Sequence, residues 1–361
     1  MTTPATTPAG AAPKPGTAAW LDLVREDVLE PDRPIVDPHH HLWRARGAFE
    51  PYLLDQLWAD TGSGHRVQQT VFVECRAGYR KEGPEHLRPI GETEFVAEIA
   101  SAAAAGARRN ASRATISGIV AHADLTLGDA VEEVLDAHAA AGGGLFRGVR
   151  HSGACDPHPE SLFIPGRAAA GLYARTDFRR GMRVLGRLGL SYDTWHYHHQ
   201  NGDFAALARA VPETTMVLDH FGTPLGVGVY RDRRQEIFAR WRRDIEEIAR
   251  CPNVVAKLGG LAMPDNGFGW ERRDRPASSD ELVAAQERYY RHAIESFGPD
   301  RCMFESNFPV DRLSISYRSV WNAFKKIAAA FSEDEKDAMF RGTAMRVYRL
   351  AERDEASSPT P

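Results

Sequence analysis

The chain lacks long apolar runs. No stretch approaches the roughly 20 residues needed to cross a hydrocarbon core, which excludes a helical membrane span. Cysteine is scarce: Cys75, Cys155, Cys251 and Cys302 stand far apart and form no CxxC pair. That excludes a thiolate metal knuckle or a dithiol redox centre, and the four read as reduced, mostly buried thiols of a cytoplasmic protein. Charge of one sign is missing as well, since 45 Lys and Arg against 49 Asp and Glu give a net charge of −4 with both signs mixed throughout. A nucleic-acid partner needs a basic patch or stripe, and none is present. No short repeat marks a solenoid. Residues 1–17 have neither the charged start nor the apolar core of a secretory leader. They read as a disordered tail, with one domain over residues 18–352 and a second tail over 353–361.

What is present is an alternation. Short apolar, β-branched runs occur at Ile35–Asp37, Thr70–Glu74, Ile116–Ala121, Phe146–His151, Leu190–Trp195, Thr215–His220, Val254–Leu258 and Cys302–Glu305. Helical periods lie between most of them, at Thr93–Ala107, Gly128–Ala141, Ala168–Leu188, Phe204–Ala210, Arg234–Arg250 and Glu281–Phe297, and two more follow at Leu313–Ala330 and Glu333–Leu350. This order predicts a parallel sheet covered by helices. Eight units fit closure into a single-domain (β/α)8 TIM barrel of the α/β class. An open, doubly wound sheet is the competitor, and the absence of GxGxxG after the first strand weighs against it. Three strand-to-helix connections are long: Arg76–Gly91, Phe221–Arg233 and Gly259–Asp280. They lie on the face where such barrels carry their chemistry. The third holds Met263, Phe268 and Trp270, which would be wasted in water unless the loop folds over a pocket as a lid.

The candidate functional residues collect at the strand ends. Asp37-Pro38-His39-His40-His41 ends the first strand, and in extended backbone His39 and His41 share one face while His40 points the other way. Two imidazoles about 7 Å apart along one strand converge readily on one ion or one substrate atom. His220, ending the sixth strand, brings a third histidine to the barrel mouth, which is the ligand count of an open catalytic zinc site; the competing reading is a satisfied buried histidine. Glu305 and Asn307 at the eighth strand share a face by the same alternation, and Glu74 ends the second. A carboxylate inside a barrel must be a ligand, a base or a member of a buried ion pair. Arg150, His151 and Lys257 supply positive or donor groups for a substrate carboxylate or an oxyanion, unless they pair with Glu74 or Glu305. Trp195 and His196 belong to an aromatic and donor cluster after the fifth strand that suits a small polar ring.

At these residues the chain resembles the amidohydrolase superfamily, and within it the TIM-barrel branch of the sugar lactonases and 2-pyrone-4,6-dicarboxylate lactonase. The Asp-x-His-x-His core at Asp37–His41, Gly148-Val149-Arg150-His151, Leu218-Asp219-His220-Phe221-Gly222 and Val255-Ala256-Lys257-Leu258-Gly259 carry the likeness, from about Ile35 to about Tyr348. The resemblance implies that His39, His41 and His220 line the active site, hold a divalent metal, zinc first, if one is bound, and that Arg150 contacts substrate; the branch also includes members that work without metal. One position departs from the pattern. The eighth strand of the family reads Ser-Asp-x-Pro, and its Asp is metal ligand and general base; here Ser306-Asn307-Phe308-Pro309 has an amide, which takes no proton from water. Glu305 and Asp311 are the candidates to replace it.

The reaction expected is therefore hydrolysis of a lactone or other small cyclic ester or amide bearing carboxylates or hydroxyls, by a barrel for which homo-oligomers are compatible. Decarboxylation or hydration of a small carboxylate is the alternative on the same fold. A catalytically degenerate barrel kept for binding is the non-enzymatic reading, and Asn307 is its main support.

Overall fold

A computed structural model describes residues 12–44 and 50–353. Most of residues 1–17, and nearly all of 353–361, lie outside the described residues. Of the former, Gly16 accepts a hydrogen bond from the Arg312 guanidinium at 2.9 Å. Eight parallel strands run in sequence order: β1 Pro34–His40, β2 Arg66–Val73, β3 Thr115–Ala121, β4 Phe146–Arg150, β5 Ser191–Thr194, β6 Met216–Leu218, β7 Val254–Leu258 and β8 Cys302–Phe304. The circle closes just beyond β8. The Asn307 amide donates to the His39 carbonyl at 3.1 Å, and the His41 amide to that of Phe308 at 2.8 Å. The expected (β/α)8 barrel is thus the fold, and its closing hydrogen bonds involve the backbone of residues at the candidate site.

Helices α1 Ala18–Leu21, α2 Leu54–Thr61, α3 Ile90–Arg109, α4 Val131–Ala141, α5 Thr176–Arg187, α6 Asn201–Ala210, α7 Arg234–Ala249, α8 Ser279–Phe297, α9 Tyr317–Ala328, α10 Glu333–Asp337 and α11 Thr343–Val347 accompany the strands. Among the described residues no helix is long and apolar enough to cross a membrane. Inward-facing Val36, Val71, Val73, Val120, Val217, Val255 and Met303 fill the barrel floor together with Met345, Val347 and Tyr348 of the C-terminal segment. The four cysteines are free, with Cys155 partly exposed and the others buried.

One helix start lies well inside the expected range. The helix expected from Ala168 begins at Thr176, because Gly171 takes a left-handed φ of 71° and breaks the period. Residues 151–175 therefore form a fourth long loop. The apolar residues of the Gly259–Asp280 loop are packed away from water: Met263 and Trp270 are buried, and Phe268 stacks on Trp270 at 5.2 Å. The Asp265 carboxylate in that loop accepts the amides of Phe163 and Ile164, and its carbonyl accepts the Gly226 amide at 2.9 Å, so three loops are joined at one residue.

Helix α8 starts on a capping box, in which Ser278 Oγ accepts the Glu281 amide and Glu281 accepts the Ser278 amide. Arg275 bonds the same carboxylate at 2.8 Å and Arg273 at 2.9 Å. Chiefly through Arg275, these partners hold the Glu281 carboxyl at about 2, against an ordinary 4.5. A depressed carboxyl contributes stability above its unfolded value and loses it as pH falls through the folded one. Glu281→Gln should therefore cost about 1 kcal/mol at neutral pH. In thermal melts the gap to wild type should narrow as pH falls below 4.5 and close near 2; a gap independent of pH would contradict this.

Candidate active site

The alternation of β1 places its histidines as expected. His40 turns outward, with Nε2 3.0 Å from Thr70 Oγ1 and its ring against Phe72. His39 turns into the barrel mouth, where its ring centroid lies 4.6 Å from that of His220. His220 reaches this point by a local strain that the sequence did not reveal. Strand β6 stops at Leu218, and His220, Phe221 and Thr223 all take positive φ, at 52°, 58° and 41°. Non-glycine residues seldom adopt that region, and runs of them collect at functional sites.

Glu305, one residue past β8, joins the two imidazoles. His39 Nδ1 lies 2.6 Å from its Oε2 and His220 Nδ1 2.6 Å from its Oε1, and all three side chains are buried. Burial pushes the Glu305 carboxyl up to about 8, against the pull of Lys257, and burial pushes His220 down to about 3. The contacts thus join neutral rings to a carboxyl that gives up its proton reluctantly.

Beneath this trio lies a second layer of charge. Lys257 on β7 is fully buried, with Nζ 2.7 Å from Asp193 Oδ2 on β5 and 3.2 Å from Asp219 Oδ1. It is also 3.3 Å from His39 Nδ1. Burial alone would lower this lysine, but Asp193, Asp219 and Glu305 outweigh it and hold the ammonium charged. Arg150 on β4 donates from Nε to Glu74 Oε1 at 3.0 Å, and its Nη1 lies 3.5 Å from Asp219 Oδ2 and 3.4 Å from His39 Nε2. Both cations are thus held by carboxylates, and the partners of Lys257 are Asp193 and Asp219 rather than Glu74 or Glu305. Neither aspartate was assigned a role from sequence. A charged residue between Tyr192 and Thr194 in a short strand was the available signal, because such a group must find a partner.

Other expected residues lie further out or are engaged elsewhere. His41 stands outside the group of His39, His220 and Glu305, whose donor atoms lie within 4.8 Å of one another. Its Nδ1 donates to the Val73 carbonyl at 2.8 Å, which leaves Nε2 as the basic nitrogen. Asn307 takes φ 55°, and its amide donates to Asp311 Oδ1 at 2.9 Å; Asp311 Oδ2 in turn accepts the Ala262 amide at 3.2 Å. The left-handed turn breaks the alternation that put Glu305 and Asn307 on one face, and Asp311 is tied to the loop instead of the imidazoles. Of the two candidates for the missing carboxylate, Glu305 alone meets both rings. His196 is fully buried with both nitrogens engaged, by Asn201 Oδ1 at 2.9 Å and Thr194 Oγ1 at 3.1 Å, so it braces the loop and offers nothing to a ligand. His151 accepts the Leu125 amide at 3.1 Å and sits 5.2 Å from His122 at the rim. Trp195 is partly exposed, and its indole N–H has no hydrogen bond among the described residues.

Two glycines make room for the centre. A Cβ on Gly259 would meet Glu305 Cγ at 2.4 Å, and one on Gly260, at φ 74°, would meet His220 Nδ1 at 2.2 Å.

A closed parallel barrel with a buried His, His and Glu group at its C-terminal mouth is the architecture of a TIM-barrel enzyme. A family model described as Amidohydrolase matches residues 36–350, and the chain belongs to that family. It is 31% identical to the protein y4mH of Sinorhizobium fredii, across 88% of this chain and 99% of that one. It is 29% identical to L-fucono-1,5-lactonase of Burkholderia multivorans, across 88% and 96%. A Burkholderia multivorans amidohydrolase solved with bound zinc superposes with a TM-score of 0.67 at 28% identity, across 88% of this chain and 99% of that one.

Gly260→Ala should lower stability by about 2 kcal/mol, through left-handed strain and displacement of His220. Urea denaturation measures this, and an unchanged midpoint would mean that the glycine does not shape the site.

Proposed function

We propose that the protein opens a neutral, hydroxyl-bearing lactone by water attack on the ring carbonyl. The observation carrying this reading is the Glu305 carboxyl held 2.6 Å from the Nδ1 atoms of both His39 and His220, where the family pattern has an aspartate two residues further on. Glu305, once ionised, is the general base. It takes a proton from water as the water oxygen bonds to the carbonyl carbon. The ring C–O bond then breaks, and the proton passes to the departing ring oxygen, giving a hydroxy acid. Charge developing on the carbonyl oxygen is met by the Arg150 guanidinium, the less deeply buried of the two paired cations. His39 and His220 orient Glu305 through their Nδ1 atoms.

The residues present suit a divalent metal. Two imidazole nitrogens and a carboxylate have the composition of an open catalytic zinc site. Close by, Asp219 accepts no hydrogen bond among the described residues, so the cluster holds more carboxylate than its donors satisfy. His39, His220 and Glu305 would hold the ion, with His41 next in line through Nε2. Such an ion supplies Lewis acidity at the carbonyl and a more acidic water.

Substrate class follows from charge. Arg150 and Lys257 face Glu74, Asp193 and Asp219, so the inner site is already neutralised or negative before Glu305 is counted. A carboxylate-bearing ring would meet no unpaired deep cation, which disfavours dicarboxylate lactones and small acids for decarboxylation alike. Uncharged hydroxyls require no such cation.

Proton release from a panel of sugar-acid 1,5-lactones, beside 2-pyrone-4,6-dicarboxylate, tests this. Turnover of neutral lactones is expected, with a loss of at least about 100-fold in kcat for Glu305→Gln. Full turnover in that variant would remove Glu305 as base, and turnover confined to the dicarboxylate would overturn the substrate assignment.

A further inference from the structure

The C-terminal segment reaches the reaction centre from below. After α10 the helix widens through a π-helical turn at Ala338–Gly342 and continues as α11, and Tyr348 follows its last turn. Extra-wide turns of this kind re-aim what comes after them. Tyr348, Val347 and Met345 pack on the inward-facing valines of β1, β2, β3, β6 and β7, so the end of the domain plugs the barrel floor. The Tyr348 side chain is fully buried, and it is not merely packing. Its hydroxyl donates to Asp193 Oδ2 at 2.6 Å, and the same oxygen receives Lys257 Nζ at 2.7 Å. The ammonium also stands 5.4 Å from the centroid of the Tyr348 ring, within cation–π range. Lys257 in turn lies 3.2 Å from Asp219 and 3.3 Å from His39 Nδ1.

We propose that Tyr348 is a positioning residue which, through Asp193, fixes the Lys257 ammonium beneath His39 and so sets the electrostatics of the reaction centre from the opposite end of the barrel. A lysine stem has four rotatable bonds and three donors, and its ammonium sits where its acceptors hold it. Among the described residues Asp193 Oδ1 has only Ser191 Oγ, at 3.3 Å, so the Tyr348 hydroxyl is the shorter of the two neutral restraints found on that carboxylate. Without it Asp193 can rotate about its broad terminal torsion, and the ammonium shifts towards Asp219. The contribution to turnover rests on the lactone-opening reading above, whereas the anchoring of Lys257 does not.

The chain has six lysines, so selective 15N-lysine labelling gives few signals. In wild type the fully buried Lys257 ammonium should give a sharp, slowly exchanging resonance, told apart from those of buried Lys325 and Lys336 by its disappearance in Lys257→Met. Tyr348→Phe keeps the ring and its packing, and should broaden or shift that resonance while the melting temperature changes little. On neutral lactones its kcat should fall about tenfold at unchanged KM, since about 1.4 kcal/mol of positioning corresponds to that factor. A purely structural role leaves both the resonance and the kcat of Tyr348→Phe near wild type, because Phe keeps the ring and its packing. An unaltered Lys257 resonance in Tyr348→Phe overturns the proposal. If wild type opens no lactone, the functional reading falls and the resonance alone decides the role of Tyr348.

Discussion

A fully buried ammonium between two buried carboxylates is the constraint on which this site depends. Removing Lys257, Asp193 or Asp219 from water singly would cost several kcal/mol each, and only their mutual attraction at 2.7 and 3.2 Å makes the arrangement tolerable. The consequence reaches outward. Asp219 is shared with Arg150, Arg150 with Glu74, and Lys257 approaches His39, so charge is passed from β2 across to β7 through one connected cluster. Glu305 and the two imidazoles rest on this layer. A cluster in which every charge depends on a neighbour has few alternative arrangements, and rigidity is what a preorganised hydrolytic centre needs.

Closure of the barrel delivers the parts to one place. The backbone bonds from Asn307 to His39 and from His41 to Phe308 fix β1 against the segment after β8, and so set the approach of His39 to Glu305. Two left-handed turns, at His220 and at Asn307, redirect side chains that straight strands would have aimed elsewhere. Gly259 and Gly260 leave the volume that Glu305 and His220 occupy. The replacement of the family's eighth-strand aspartate by Asn307 therefore does not empty the centre. A carboxylate from two residues earlier, Glu305, lies against His39 and His220, and the Asn307 amide ties Asp311 and the lid loop in place.

Much of this was legible in the residues. The alternation of apolar runs and helical periods reported eight strands, because parallel strands buried on both faces must be short and apolar. His39, His220 and Glu305 stood out, since ionisable groups at strand ends have few bland explanations. Less legible was anything set by tertiary pairing. The roles of Asp193 and Asp219 depend on which strand faces which across the barrel, and sequence order does not give that distance. Period-two reasoning failed at Asn307, where a positive φ flips the side chain, and it ended the sixth strand two residues late at His220 for the same reason. His196 resembled a ligand-binding residue because its two partners, Asn201 and Thr194, are ordinary residues that any loop contains. The plug formed by Tyr348 read as one more terminal helix.

The central claim is that the charges beneath the site hold one another, and the most direct measurement is a double-mutant cycle by urea denaturation on Lys257→Met, Asp193→Asn and the pair. The expected result is a loss of about 3–5 kcal/mol for Lys257→Met alone, with substantial recovery when Asp193→Asn is added, giving a coupling of at least about 2 kcal/mol. Two small and additive losses would contradict it, because they would mean that Lys257 and Asp193 are stable in the barrel independently of each other.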